Sequence, residues 1–590
     1  MSSFAYHFRH LRIDLSREAS TVLPLDPDFL QNAIGGSGLG VGLLSQTDSA
    51  ELDPFAPASS LFFVFSPLVG SPLTTSAKFA VVSKSPLTHR INDSLAGSGF
   101  AIAGKKTGFD AIEIRGQARE PVVIVIENND VRIVPCPGLW GTQLSECQQK
   151  LRDEFGSRFK TACIGPAGEN KVLYATISHD GRHAGRGGSG AVLGSKNVKA
   201  ILVAGNQKVA WAHPERLNQY AKSLSKRSFE GATAKYRELG TAANLLAFNR
   251  LQCLPTRNFN ESQFEAAENL APETIATDRK KTRSSCAACT IGCEHIYEIR
   301  PSQNSKTPKV RMEYESLFAL GPMCGLSDAD KVLEAAHWCD ELGLDTVSTG
   351  GTLAFAMDCA ERGLIDEPLR FGDAEAVIDS IQNIALRQGF GDSLALGSRK
   401  LAQQIGGNSI DFAPQIKGLE IPGYDPRKLS TMALGFAVGT RGADHNKSSA
   451  YEIDFGIGND AEQASGLTEA KIDQAIFLED KSAVMDSLIF CKFLRHVFDD
   501  FFEETAEVLN MACGWNMDAT LLRSIGNQIV DSKKAFNIRA GWTPEEDRLP
   551  EMIFQKPVEF GQATLSKEEL QQAISMYNLK RGWTTDGFLQ

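Results

Sequence analysis

Residues 326–346 read LSDADKVLEAAHWCDELGLDT. Ser327 can cap a helix whose first turn carries Asp328 and Asp330, acidic groups that suit the positive end of a helix dipole. Val332, Leu333, Ala336 and Leu342 supply the apolar positions, and Gly343 can take the left-handed conformation that closes a helix. Leu344 and Asp345 then emerge into a loop beside Asp340. Two carboxylates at a helix end can accept hydrogen bonds from the N–H groups of a polar heterocycle; a solvated acidic helix end is the plainer alternative. The same helix carries Glu334 and His337. Their i, i+3 spacing puts both on one face, as in bundle proteins that hold iron, although a pair facing solvent has the same spacing.

Upstream, SSCAACTIGCEH (284–295) places Cys286, Cys289 and Cys293 as C-x-x-C-x-x-x-C. Thiolates so spaced on a tight loop can face one inorganic core and leave its fourth corner to a remote ligand, which suits a [4Fe–4S] cluster. Zinc knots use paired C-x-x-C units or histidines at defined spacing, and His295 lies too close to Cys293 for that pattern. Spacing leaves the fourth ligand open among Cys324, Cys339 and Cys491. The nine other cysteines of the twelve stand at ordinary spacings and read mostly as small buried hydrophobes.

Before this region the chain is β-rich. SLFFVFSPLV, KFAVVSK, DAIEIRG, PVVIVIE and KAILVAG are β-branched or aromatic runs bounded by turn residues. From about Glu215 longer segments with helical periodicity follow, such as ERLNQYAKSLSKRS and AEAVIDSIQNIALRQ. The expected fold class is α+β, with a β-rich domain over 1–204 and two mainly helical domains over 205–415 and 416–590. HDGRHAGRGGSGAVLGSKNVKAI (179–201) packs glycines around Arg182 and Arg186, which could approach a ligand closely and pair phosphate oxygens. GGSGLG at Gly35 departs from the dinucleotide spacing and is discounted. The formal charge of −11 argues against general nucleic-acid binding. No apolar run reaches the roughly 20 residues of a membrane span, and the N-terminus lacks a secretory pattern. The expected location is the cytoplasm.

In order along the chain, the cysteine motif, EYES (313–316), E-x-x-H and DELGLDTVSTGGTLAFAM (340–357) resemble the aldehyde:ferredoxin oxidoreductases. KSPLT at Lys84, GRGGSG at Gly185, LPTRNF at Leu254, YDPRK at Tyr424, RGADH at Arg441 and RGWTTDG at Arg581 extend the resemblance over nearly the whole chain. It implies a tungsten (or molybdenum) bis-pyranopterin cradled by the N-terminal domain. It also implies two D-x-x-G-L-[CD] pterin motifs, the first at Asp340, Gly343, Leu344 and Asp345. The second resembles DSLIFC, with Asp486, Phe490 and Cys491, where Ile489 and Phe490 replace Gly and Leu. The resemblance thereby selects Cys491 as fourth cluster ligand. It further implies Arg182, Gly185 and Arg186 at the pterin phosphates, Lys447 and Gly97 beside the cofactor, and Lys78 where an arginine is common. Leu95 stands in place of an asparagine that helps hold a magnesium between the phosphates, so that ion is held by backbone and phosphate or is absent.

The implied activity is oxidation of an aldehyde to a carboxylic acid, with Glu315 as general base and His445 polarising the carbonyl or relaying a proton. Structural roles are the alternative, Glu315 pairing Arg311 and His445 capping a loop. Electrons would leave through the cluster to a ferredoxin or an electron-transfer subunit. Glu334 and His337 resemble half of a mononuclear iron site between two subunits, implying a homodimer. A reductase of an activated carboxylate or aromatic ring, and a degenerate electron-transfer or scaffold subunit, are the rival functions.

Overall fold

The computed structural model describes residues 4–97, 99–279, 281–300, 308–456, 466–555 and 565–590. Strands β1 (Arg9–Asp14), β2 (Ala19–Pro24), β3 (Leu61–Val64), β4 (Lys78–Lys84), β5 (Ile91–Gly97) and β6 (Ala111–Arg115) form one sheet, ordered β2-β1-β6-β3-β4-β5. Strands β7 (Val122–Glu127), β8 (Asp130–Pro135), β9 (Lys160–Cys163), β10 (Ile177–His179), β11 (Arg182–Ala184) and β12 (Val198–Ala204) form a second, ordered β11-β10-β9-β12-β7-β8. Side chains alternate between the faces of a strand, and that alternation sorts the core. Leu11, Ile13, Phe63, Phe79, Val81, Ile112 and Ile114 meet Ile124, Ile126, Ile201 and Val203 of the second sheet. Each large side chain buried there contributes roughly 1.5–3 kcal/mol. Phe62, Val64, Ala80 and Val82 face the other way, toward helix α1 (Gly36–Ser45). The approach is close: a Cβ on Gly40 would lie 2.4 Å from Val82 Cγ2.

The five apolar runs singled out from sequence are β3, β4, β6, β7 and β12. Strand β5 carries no such signal, because Asn92, Asp93 and Ser94 are buried polar residues that break the apolar pattern. Beyond residue 204 the chain is mainly helical, as expected. The elements that matter for the site are α2 (Tyr314–Leu320), α3 (Ala329–Leu342), α4 (Thr346–Glu361), α5 (His445–Ser448), α6 (Glu469–Leu488) and α7 (Ala519–Arg539). A three-stranded antiparallel sheet interrupts this region: β13 (Lys281–Ser284), β14 (Glu294–Glu298) and β15 (Lys309–Met312). The periodicity did not announce it, since β13 and β15 are short and rich in charge.

Two local expectations need correction. Asp328, not Ser327, caps α3, its carboxylate accepting from Asp330 N–H at 2.8 Å. Asp345 does not lie in an open loop: it is buried and caps α4, accepting from Ser348 N–H at 3.0 Å. A carboxylate one residue past the turn satisfies the free N–H groups of a new helix, so the chain restarts at once.

Candidate active site

Cys286, Cys289 and Cys293 occupy the connection between β13 and β14. Left-handed Ala288 and Gly292 curl it. Thr75 ties this loop to the remote cysteine: its N–H donates to the Ala288 carbonyl at 2.6 Å, and its hydroxyl accepts from Cys491 N–H at 3.3 Å. All four thiols are half-buried, and those of Cys286 and Cys293 feel the charge of the other cysteines. Burial, then Cys491, pushes the Cys289 thiol up to about 11; the same two causes raise Cys293 further. A converging set of thiols that resist ionisation suits an iron–sulfur core, whose positive charge offsets their repulsion. No three His, Cys, Asp or Glu side chains close on a single metal ion among the described residues. A cluster takes one thiolate at each of its corners, a wider spacing than ligation of a single ion requires. Gly97, at the end of β5, keeps the space clear, since a Cβ there would lie 3.1 Å from Cys286 Sγ. Lys78 pairs with Gly97 across the sheet. Burial works against its charge, but Cys491, Cys286 and Asp486 raise its ammonium overall.

The two D-x-x-x-x-[CD] segments end helices in the same way. Gly343 closes α3 at φ 79° and ψ 44°, and Ile489 closes α6 at φ 64° and ψ 35°. Left-handed backbone costs a β-branched residue roughly 1–2 kcal/mol more than glycine. Ile489 is fully buried, and its Cγ1 lies 2.6 Å from where a Cβ on Gly36 would be. Gly35, Gly36 and Gly38 of GGSGLG therefore serve close packing against the end of α6 and this turn. Phe490 turns away into an aromatic group with Phe498 and Phe501, its N–H donating to the Met485 carbonyl at 3.0 Å. Leu344 is buried against the 174–176 segment, where Thr176 N–H donates to the Gly343 carbonyl at 2.8 Å.

Around these turns lies a cradle of cations. Lys447 bridges Asp93 (2.6 Å) and Asp486 (2.9 Å); Lys533 of α7 joins Asp93 at 2.8 Å, and Lys492 joins Asp486 at 3.0 Å. Burial opposes the Asp93 charge, but Lys447, Lys533 and Arg441 hold its carboxyl well below the usual range. Arg186 donates to the Ala443 carbonyl at 2.6 Å and to the Glu420 carbonyl, and its Nε lies 3.9 Å from Asp345. Arg182 pairs Glu294 at 2.5 Å. Arg441 pairs Asp444 at 2.8 Å and donates to the Arg186 carbonyl at 2.6 Å. Gly185 faces Asp345, and left-handed Gly188 passes so close to the Leu173 carbonyl that a side chain there would collide. The Nε groups of Arg182, Arg186 and Arg441 are buried and make no hydrogen bond among the described residues. Buried donors left open cost about 1–3 kcal/mol each, so a phosphate-bearing ligand would satisfy what the protein does not. The side chain of Leu95, on strand β5, offers no oxygen; Asn92 Oδ1 and Asp93 Oδ1 are side-chain acceptors buried there without a hydrogen bond among the described residues.

Glu315 in the first turn of α2 and His445 at the start of α5 face each other, His445 Nδ1 lying 3.5 Å from Glu315 Oε1. Both atoms are buried and lack a hydrogen bond among the described residues. The other carboxylate oxygen accepts from Gly423 N–H at 3.1 Å. Burial pushes the Glu315 carboxyl up to about 7 and the His445 imidazole down to about 3, so the histidine is neutral at pH 7. The His445 ring stacks on Tyr424 at 4.5 Å. Arg311 does not pair with Glu315; it is held by Glu294 at 3.1 Å. Asp444, rather than His445, caps the local helix. Asp340 sits away from this pair and holds His183 at 3.0 Å.

Glu334 and His337 lie on α3, half-buried, apart from this constellation; Glu334 pairs Lys331 at 3.1 Å. Arg441, Lys533, Lys492 and Thr75 are the site residues that sequence reading missed. Arg441 stands in the RGADH motif and could have been picked out. Lys533 lies on a helix with nothing to distinguish it from a surface lysine.

Two family profiles match the chain: "Aldehyde ferredoxin oxidoreductase, N-terminal domain" over residues 10–205, and "Aldehyde ferredoxin oxidoreductase, domains 2 & 3" over 217–590. The tungsten-containing aldehyde ferredoxin oxidoreductase of Pyrococcus horikoshii is 35% identical over 99% of this chain and 97% of its own length. The WOR-like subunit of an aliphatic sulfonate oxidoreductase from Pyrococcus furiosus is 27% identical over 99% of this chain and 95% of its own length. Among solved structures, the active-site complex BamBC of benzoyl coenzyme A reductase shares the fold with a TM-score of 0.85. It is 22% identical and covers 100% of this chain and 96% of that one. This chain belongs to the aldehyde ferredoxin oxidoreductase family, and it is an oxidoreductase of that kind.

Proposed function

We propose that this protein oxidises an aldehyde to a carboxylic acid at a tungsten (or molybdenum) bis-pyranopterin. In this reading two electrons leave singly through a [4Fe–4S] cluster to a ferredoxin or a partner subunit. The observation that carries this reading is the buried Glu315–His445 couple beside unsatisfied arginine donors and four converging cysteines. Arg182, Arg186, Arg441 and Lys447 would hold the pterin phosphates, with Asp340, Asp345 and Asp486 accepting from its ring N–H groups. Residues 1–204 would cover it, and 205–415 and 416–590 would each supply one helix-end motif. Held there, the metal would supply a two-electron acceptor, and a cluster on Cys286, Cys289, Cys293 and Cys491 would supply a one-electron exit.

The protein's own work is with protons. Adding water's oxygen to an aldehyde and withdrawing two electrons releases two protons. Glu315, with its carboxyl near 7, can take one from the attacking water at neutral pH. His445, neutral and turned toward the same space, holds a proton at one nitrogen to donate to the substrate oxygen or pass on. Glu334 and His337 would join the same pair from a second protomer around an iron.

Loading the protein with tungsten or molybdenum in a competent host, then measuring bound metal and aldehyde-dependent dye reduction, tests the proposal. A protein with full metal content and no aldehyde turnover would overturn it. The shared fold with a benzoyl coenzyme A reductase complex makes aryl thioesters the substrates to offer in parallel.

A further inference from the structure

We infer that the segment 226–240 and the neighbouring strand β13 form the docking face for an acidic, one-electron iron–sulfur carrier protein. The inference rests on the proposed [4Fe–4S] cluster and deepens the proposed electron exit.

Both cluster-bearing stretches of chain touch this one segment. Ser228 Oγ lies 2.7 Å from Thr290 Oγ1, between Cys289 and Cys293. Tyr236 stacks on Phe493, two residues past Cys491, with ring centroids 4.1 Å apart. His295, next to Glu294 and two residues past Cys293, contacts the Arg237 carbonyl at 3.2 Å. The segment is thus the outer wall of the cysteine site, and an electron leaving across it has a short path. Transfer rates fall steeply with distance, so the wall nearest the cluster is where a carrier gains by binding.

That wall has the composition of an interface. Phe229 is 56% exposed, an unusual position for a large aromatic, and it sits under the Arg237 guanidinium at 4.2 Å. Exposed aromatics with arginine are the commonest anchors of protein contacts. Lys226 and Lys235 on the same segment and Arg283 on β13 are exposed, and half-exposed Lys281 of β13 donates to the Glu238 carbonyl at 3.2 Å. Lys226, Lys235, Arg237, Lys281 and Arg283 have no carboxylate partner among the described residues. Arg283 lies against Gly292 inside the cysteine loop, with its Nε 3.6 Å from where a Cβ would be. Arg227 is different, since Glu504 and Asp499 already hold it. Glu230 and Glu238 are the other acidic neighbours, and against them Lys226, Lys235, Arg237, Lys281 and Arg283 leave the patch net positive on a chain of formal charge −11. A basic patch on an acidic protein steers an acidic partner to that face, while the formal charge of −11 keeps copies of the chain apart. In the transfer, one electron passes from the reduced cluster of the enzyme to the oxidised cluster of the carrier, with no proton or bond exchanged.

The test uses metal- and cluster-loaded protein, an acidic ferredoxin as carrier, and the variants Arg283→Glu with Lys235→Glu, and Phe229→Ser. Equilibrium binding to immobilised ferredoxin is measured from low to high salt. Stopped-flow oxidation of chemically reduced enzyme is followed with ferredoxin and with a small neutral dye. The expected result is at least a tenfold weaker Kd and slower ferredoxin reduction for the charge-reversal variant at low salt. That difference shrinks at high salt, and oxidation by the dye is unchanged. Phe229→Ser should weaken binding with the salt slope retained. Wild-type binding in both variants overturns the inference, as does equal slowing with the dye. Because electrons are loaded chemically, failure of aldehyde turnover leaves this result readable on its own.

Discussion

Replacing Glu315 by Gln separates catalysis from stability in opposite directions. The buried carboxyl titrates near 7 against an ordinary value near 4.5, a difference set chiefly by burial. A raised folded value means the native state holds the proton more tightly than the unfolded chain does. Stability from this group is therefore present below pH 4.5, declines as pH rises through 7, and stays lower above it. The full difference corresponds to about 3–4 kcal/mol, an upper bound because the side chain is still 23% exposed. Gln keeps the shape and the acceptor for Gly423 N–H without a charge, so at pH 8 the variant should match or exceed the wild type in Tm. At pH 4.5 the two should differ little, because both side chains are then neutral. Turnover moves the other way. Loss of a general base costs about 10²–10⁴-fold in kcat, and the wild-type rise of kcat with pH through about 7 should vanish. Aldehyde-dependent dye reduction and thermal melts at both pH values, on protein of equal metal and iron content, make the comparison. Near-wild-type kcat at pH 8 would refute Glu315 as the base, and a Tm lowered by several degrees at pH 8 would refute the burial argument.

Three further outcomes follow from the site. Gly97→Ala should lower iron per chain and broaden the cluster spectrum, since the added methyl would stand 3.1 Å from Cys286 Sγ and 3.4 Å from Lys78 Cγ; unchanged iron and spectra would show that the loop yields without cost. At Ile489 both Ala and Gly should destabilise by about 2–5 kcal/mol through lost packing. Gly should be the less harmful of the two, by about 1 kcal/mol, because φ is 64° there, and denaturation showing Ala better would remove the strain argument. His337→Ala should remove one iron per dimer while the four cluster irons of each chain remain, and a variant dimer with full iron would exclude this residue from a bridging site.

Much of this protein is legible in the amino-acid order. Five of the strands that build the two sheets announce themselves as short β-branched or aromatic runs; β3, β4, β7 and β12 are largely apolar on both faces, as a doubly covered sheet requires, whereas β6 alternates, with Glu113 on its second face. The helix closing at Gly343 is legible because caps and left-handed residues act through the backbone within a few positions. The cysteine spacing is local for the same reason. Strand β5 was hidden because Asn92, Asp93 and Ser94 give up the apolar pattern to reach Ser189, Lys447 and Arg186.

The tertiary structure decided what distance along the chain conceals. Lys533 reaches Asp93 across 440 residues of sequence, and Glu315 meets His445 from a separate helix. The shifted proton affinities of Asp93, Glu315 and His445 arise from burial and from neighbours supplied by other segments, which no local spacing encodes. The turn at Ile489 makes the same point. From its letters it departs from the motif at Gly343, yet packing against Gly36 holds it in nearly the same backbone shape. Local sequence determines which turns and helices can form, and the contacts of the whole fold determine which strained turn is kept and which charge is shifted.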